Sequence, residues 1–205
     1  MDRNIFEEEH EMFRDSVRSF MKNEIGPHEE RWNEQGIVDR EAFLKAGEMG
    51  FLCMWAEEKY GGIGVDDFRY EQILIEENAY YGDLGFFMTL HSRLVGPYIR
   101  NFASDEQKAR WLPKCISGEH ILAVAMTEPG TGSDLSAIRT KAEDKGDHFL
   151  LNGSKTFISN GILADLVVVA ARTDPSTPQG LSLFVVERGM EGFERGNNMD
   201  KMGLK

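Results

Sequence analysis

The hydrophobic repeat of this chain changes period once, near Gly118, and that change constrains the fold more than any other feature. Before it, apolar residues recur at helical spacing. Phe6, Phe13, Val17 and Phe20 follow one another at steps of seven, four and three, which is one face of a helix, and Gly26-Pro27 is expected to end it. Asp39 is placed to cap a short helix through Phe43, Leu44 and Ala46. A glycine-rich loop, "EEKYGGIGVDD", leads to a helix through Tyr70, Ile73, Leu74 and Glu77, on which Glu76 and Glu77 read as a solvated charged face. A further helix is expected from Leu84 to Ile99. Ser104 and Gln107 then form a capping box for a helix that ends before Gly118, with Pro113 kinking or tightening its last turn.

After Gly118 the runs are short and β-like: "HILAVAM", "IRTKAED", "HFLLNGSKTFIS", "LVVVAAR" and "LSLFVVE". Asn152-Gly153 between apolar flanks predicts a hairpin turn, and "TDPSTPQG" a loop between the last two strands. Helices followed by strands imply an α+β chain of two parts, an all-α domain over 1–118 and a β domain over 119–205. The last run, Leu181 to Glu187, leaves few strands to close a β domain, so the expectation is an incomplete, barrel-like sheet in a chain cut short.

The 205 residues are 41% hydrophobic and 28% charged, with a formal net charge of −12. Overall charge of that sign argues against nucleic acid or an anionic membrane as a partner, because both attract a basic face. Cys53 and Cys115 form no CxxC pair and read as buried apolar thiols of a reducing compartment. His10, His28, His91, His120 and His148 never fall at metal-ligand spacing, so no metal is expected. The acidic start, "MDRNIFEEEHEMF", resembles neither a signal nor a transit peptide. The expected location is the cytoplasm, or the mitochondrial matrix for a processed chain.

Several motifs are incomplete. "GGIGVD" lacks the third glycine and the preceding strand of a dinucleotide fingerprint, and in "NGSKT" Ser154 separates Gly153 from Lys155, unlike a phosphate loop. Ser133-Asp134 has neither a GxSxG frame nor a nearby histidine, which leaves a hydrolase triad unsupported. The stretch "AMTEPGTGSDLSAIRT" remains. It leaves the end of the run Ile121 to Met126, its glycines let backbone approach a ligand, and Thr127, Thr131, Ser133 and Ser136 bring hydroxyls. A flavin, flat and with one hydrogen-bonding edge, fits such a loop; a solvated connection between two strands fits it too. The residues alone leave both readings open.

That stretch, followed by "LLNGSKTFISNG", closely resembles the flavin-binding signature of the acyl-CoA dehydrogenase family. "EEKYGGIGVD", "SDEQKARWLP", "LFVVERGMEGF" and "DKMGLK" support the likeness in the family's order, from about residue 5 to the end, and the wording is most like the long-chain branch. One departure is Thr131, where the family has a smaller residue before Gly132. The resemblance implies a helical domain, a middle β domain and a C-terminal helical bundle that is absent here. It implies FAD, with Val124, Ala125, Met126, Thr127, Gly132 and Ser133 along the flavin edge. Phe157, Ile158 and Ser159 would lie against the other face, Phe157 standing where some relatives have tryptophan. Ser133, Pro178 and Gln179 match positions near the CoA portion of an acyl-CoA substrate, and the helix through Phe87, Leu94, Gly96 and Pro97 matches the acyl channel. Implied with these are α,β-dehydrogenation of a long-chain acyl-CoA to a trans-2-enoyl-CoA, electron-transfer flavoprotein as acceptor, a homotetramer, and a catalytic glutamate in the bundle that no residue here matches. Glu128 reads as structural or capping. The other readings of the same fold are a non-catalytic acyl-CoA-binding paralogue or fragment, and an acyl-CoA oxidase or flavin monooxygenase.

Overall fold

The computed structural model describes residues 4–201. These residues pack as two units, one holding the residues up to His120 together with the segment from Asn197, the other Ile121–Gly196. The end of "DKMGLK", residues 202–205, lies outside the described residues.

In the helical unit, α1 (Glu8–Phe20) buries His10, Val17 and Phe20 on the face that the sequence spacing marks. Phe13 and Phe20 both meet the Phe51 ring edge-on, at 5.6 and 5.3 Å, and Phe13 meets Tyr70 in the same way at 5.0 Å. Gly26-Pro27 does not end the helical path. A π-turn, Met21–Ile25, runs into the 3₁₀ turn Gly26–His28 and then α2 (Glu29–Gln35). Pro27 sits in the first turn of that new segment, where its missing N–H deprives no helical bond.

Asp39 precedes α3 (Arg40–Glu48) but does not cap it with its side chain. Its carboxylate turns instead to the Arg31 guanidinium and the Gln35 amide, and the Arg31 contact holds its pKa well below the usual carboxylate range. A charge-assisted pair outweighs one neutral N–H.

The stretch Leu84 to Ile99 is not one helix. Asp83 accepts the Gly85 N–H at 2.6 Å in a turn, and helical structure starts at Met88. It passes through a π-turn, Leu90–Val95, into a helical segment, Gly96–Phe102. A Cβ on Gly96 would lie 2.6 Å from the Trp55 ring, so packing against that indole accounts for the glycine. The capping box of the helix Asp105–Ser117 forms as the spacing predicts, Ser104 Oγ accepting the Gln107 N–H at 3.2 Å.

Glu77, on α4 (Phe68–Tyr81), is buried rather than solvated. Two guanidiniums from α1 meet it: Arg18 Nε at 2.9 Å and Arg14 Nη1 at 3.1 Å, Arg14 also reaching Glu76 at 2.8 Å. Glu71, on the same helix, is 2% exposed and less well served. Burial raises its pKa from 4.5 to about 7, against the opposing pull of Arg93, 3.7 Å away, and Thr89.

The β unit is organised by one strand. β4 (Leu166–Arg172) pairs in parallel with β1 (Leu122–Ala125) on one edge and antiparallel with β5 (Leu181–Glu187) on the other. Past the end of β1, the Lys141↔Arg172 pair joins β4 to β2 (Lys141–Asp144), which pairs antiparallel with β3 (Phe149–Asn152). Flanked on both edges, β4 reads as the unbroken apolar run Leu166–Ala171, buried throughout. Among the described residues the sheet is open.

The hairpin turn is not at Asn152-Gly153. The chain reverses at 145–148, where Lys145 N–H bonds His148 O and Gly146 takes φ +98°, so β3 pairs with the strand before it. Gly153 is glycine for another reason: its Cβ would lie 2.3 Å from Thr140 Oγ1 and 2.7 Å from Thr140 Cα.

Glu71 gives the helical unit a testable pH dependence. Its folded pKa stands above the unfolded one, so the native state favours the proton, and stability falls as pH rises from about 4.5 to 7, by at most ~1.4 kcal/mol per unit. Cys53, with its thiol pushed up to about 12 by burial, does not titrate in that window. Glu71→Gln is therefore expected to be about 2 kcal/mol more stable than the parent at pH 8, the gap closing by pH 5. Urea melts at both pH values measure this, and an equal gap at both would refute it.

Candidate cofactor and substrate site

Beyond Ala125, the chain runs through the loop 126–140 before returning as β2. The loop is tied internally. Glu128 and Thr131 exchange backbone hydrogen bonds at 2.9 and 3.1 Å around Pro129-Gly130, and Thr131 Oγ1 donates to Ala137 O at 3.0 Å. Asp134 accepts the N–H and hydroxyl of Ser136, closing a second small turn.

The loop's anchor is the Glu128 side chain, only 6% exposed. Oε2 accepts the Arg139 N–H at 2.8 Å, and Oε1 accepts the Thr140 N–H at 2.9 Å, the Thr140 hydroxyl at 2.5 Å and Lys155 Nζ at 2.9 Å. Burial alone would raise this carboxyl's pKa. The Thr140 hydroxyl, the Arg139 N–H and Lys155 overcome that and hold it down at about 2. Lys155 Nζ also donates to Met126 O at 2.9 Å, and Thr156 N–H to Thr127 O at 3.0 Å. The two segments of the flavin signature are thereby stitched side by side in one unit.

Past that stitch the backbone is strained. Phe157 and Asn160 take left-handed φ values of 58° and 61°, and the Phe157 ring is 70% exposed. An aromatic residue in that region costs about 1–2 kcal/mol, a conformation that surroundings must hold. Asn160 donates to Leu122 O at 3.2 Å. Asp165 takes the Ile121 N–H on one oxygen and Arg188 Nε on the other, while Arg188 also reaches Leu163 O at 2.6 Å.

The residues assigned by resemblance differ in exposure and surroundings. Val124, Met126 and Thr127 are half-buried, the last two bonded through their carbonyls to Lys155 and Thr156; Gly132 and Ser133 stand exposed. Ala125 is buried in the core of the sheet with Ala123, Ala164 and Val167, and half-buried Ile158 packs against that cluster. Ser159 is half-buried. Pro178 lines an open cavity of about 290 Å³, opposite the turn 136–138 and next to Arg172; neither Ser133 nor exposed Gln179 belongs to its lining.

Sequence reasoning passes over Lys155 and Arg172. Lys155 stands two residues after a glycine in a failed phosphate-loop motif, and Arg172 ends an apolar strand; a charge closing such a run is the one signal available. Elsewhere, Glu7, Glu9 and His10 bring ligand atoms within 4.8 Å of one another, a grouping that histidine spacing does not reveal. That imidazole is committed, Nδ1 accepting the Glu7 N–H at 3.2 Å and Nε2 facing Asp67 at 3.6 Å.

The depressed pKa of Glu128 fixes the sign of its contribution. The stabilisation is complete above its ordinary value of 4.5 and is lost as pH falls through the folded value of about 2. Glu128→Gln is expected to lose about 2–3 kcal/mol at pH 7, with the difference from the parent shrinking below pH 4. Thermal melts across that range test this, and a difference constant down to pH 2 would count against a charged Glu128.

The acyl-CoA dehydrogenase N-terminal domain matches residues 7–119, and the acyl-CoA dehydrogenase middle domain matches residues 123–205. The mouse long-chain specific acyl-CoA dehydrogenase, mitochondrial, is 47% identical over 206 residues, covering 99% of this chain and 48% of that protein. The chain thus spans about half the length of the curated relatives it matches. An acyl-CoA dehydrogenase structure from Geobacillus kaustophilus superposes with a TM-score of 0.95 at 48% identity, over 99% of this chain and 54% of that one. A glutaryl-CoA dehydrogenase from Mycobacterium smegmatis, solved in complex with FADH2, superposes with a TM-score of 0.87 at 30% identity, over 97% and 50%. Among the described residues no helix is long and apolar enough to cross a membrane. With both domains matched in order along nearly its whole length, on a helical unit followed by an open mixed sheet, this chain belongs to the acyl-CoA dehydrogenase family.

Proposed function

We propose that this chain is the substrate-entry and flavin-binding half of an FAD-dependent acyl-CoA dehydrogenase acting on long-chain thioesters. The observation that carries the reading is the stitch between the two signature segments, Lys155 on Met126 O and Thr156 on Thr127 O, beside the exposed, left-handed Phe157.

The residues fit the cofactor. A flavin needs one flat apolar contact and hydrogen-bond donors along one ring edge. Phe157 offers an exposed ring. The hydroxyls of Thr127, Ser133 and Ser159 have no partner among the described residues and are free to donate. Gly132 has open space where a Cβ would stand, so its backbone can be approached closely. When bound, FAD would supply the acceptor for a hydride from the thioester's β carbon. The protein's share is to hold the ring edge with Thr127, Ser133 and the Gly132 N–H, to cover the opposite face with Phe157 and Ser159, and to receive the CoA portion near Ser133, Pro178 and Gln179.

Glu128 does not remove the α proton. Its carboxylate is buried, engaged by four hydrogen bonds and held near pKa 2, which makes it a weak base. We assign the base to a glutamate in the portion of the relatives that this sequence does not span, with the 205-residue chain alone inactive and a weak FAD binder. Electron-transfer flavoprotein as acceptor, a tetrameric assembly and a mitochondrial or cytosolic location complete the reading; they rest on the resemblance, and the mouse relative is named as mitochondrial.

The test is anaerobic. The full-length protein carrying this sequence, loaded with FAD, is expected to lose its visible flavin band on addition of palmitoyl-CoA, at lower concentrations than of butyryl-CoA. Thr127→Ala is expected to weaken FAD retention roughly tenfold, the loss of one hydrogen bond. Acyl-CoA binding by colourless protein would instead identify a non-catalytic paralogue, and oxygen consumption on turnover an oxidase.

A further inference from the structure

The open cavity beside Pro178 lies between two turns that are each folded on their own. On one side Asp134 closes the turn that carries Ser136 and Ile138. On the other, the 173–180 connection between β4 and β5 is closed by Asp174, which accepts the N–H and hydroxyl of Ser176, and by Gly180 N–H on Thr177 O at 3.1 Å. Arg172 stands between them at the end of β4. Its three nitrogens each donate to a different main-chain carbonyl: Nε to Ile138 O at 3.0 Å, Nη1 to Thr177 O at 3.0 Å and Nη2 to Ser136 O at 2.6 Å. Its own backbone is fixed, the N–H bonded to Thr140 O at 2.7 Å and the residue paired with Leu181 of β5.

We propose that Arg172 is a positioning residue that sets the width of this cavity for the nucleotide end of a CoA thioester. The proposal rests on the reading of the protein as an acyl-CoA enzyme. A planar fork on a rigid strand end fixes the distance between two walls more tightly than either turn fixes itself. The walls suit a flat heteroaromatic ring. Ile138, Pro175 and Pro178 give apolar contact, and Ser136 and Thr177 give polar groups at the rim. Lysine at this position keeps the charge but reaches one carbonyl at a time, so the walls lose their common tie.

Arg172→Lys and Arg172→Met in the full-length protein test this. Michaelis constants are measured with acyl-CoA and with the matching acyl-pantetheine, which lacks the nucleotide, and calorimetry gives the affinity for CoA itself. Both variants are expected to raise KM for acyl-CoA and Kd for CoA roughly tenfold, leaving kcat, the flavin spectrum and KM for acyl-pantetheine unchanged. Equal loss with both thioesters would mean a general disturbance of the fold and would overturn the proposal. So would unchanged constants, or a defect in the methionine variant alone, which would mark a role of charge rather than of wall spacing. Should the methionine variant not fold, the lysine variant decides on the same constants. A parent protein that binds CoA without bleaching its flavin refutes dehydrogenation while leaving Arg172 testable through Kd. A parent that bleaches but binds CoA no better than pantetheine refutes the role of Arg172 alone.

Discussion

A single buried carboxylate, that of Glu128, fixes the course of the loop 126–140 within the β unit. Taking the Glu128 charge out of water is unfavourable unless donors surround it, and the chain supplies four, from two later stretches, Arg139-Thr140 and Lys155. Each donor is also a positional constraint. Arg139 and Thr140 bring the end of the loop back to its start, and Lys155 brings in the approach to Phe157 while holding Met126 O. The loop is exposed along 132–137, while its fixed point, Glu128, lies buried.

The second constraint is mechanical. β4 pairs with β1 and β5 along its length and meets β2 at its end, and groups of the candidate site hang from its two ends. At its start, Asp165 and Arg188 secure the segment 160–165. At its end, Arg172 gathers the turns around the cavity. A slip of register would carry Arg172, or Asp165 just before the strand, into places that apolar side chains fill, so these charged ends keep fixed places.

The helical unit treats its charges in two ways. Glu77 is buried and met by two guanidiniums, whereas Glu71 is equally buried and has one cation at 3.7 Å. The sequence pattern puts both on the same helix and distinguishes neither, because helical periodicity records spacing and not which neighbours arrive from elsewhere. The same limit explains Asp39, whose position before α3 marks it as a cap while Arg31 takes its carboxylate. It explains Asn152-Gly153 as well: the dipeptide signals a turn, but Gly153 is small because Thr140 presses against it.

By itself the sequence determined the order of helices then strands, the capping box at Ser104, the apolar hub strand Leu166–Ala171 and the family to which the chain belongs. Those features are local: they depend on spacing, on cap chemistry, or on strings of residues preserved in order. Only the tertiary structure decided that Glu128 is a buried anchor, that Lys155 and Arg172 tie loops together, that Gly96 makes room for Trp55 and that Phe157 stands exposed in a left-handed backbone. Each of these depends on which distant groups meet, and a burial or a hydrogen bond between residues tens of positions apart leaves no mark in the period of the chain.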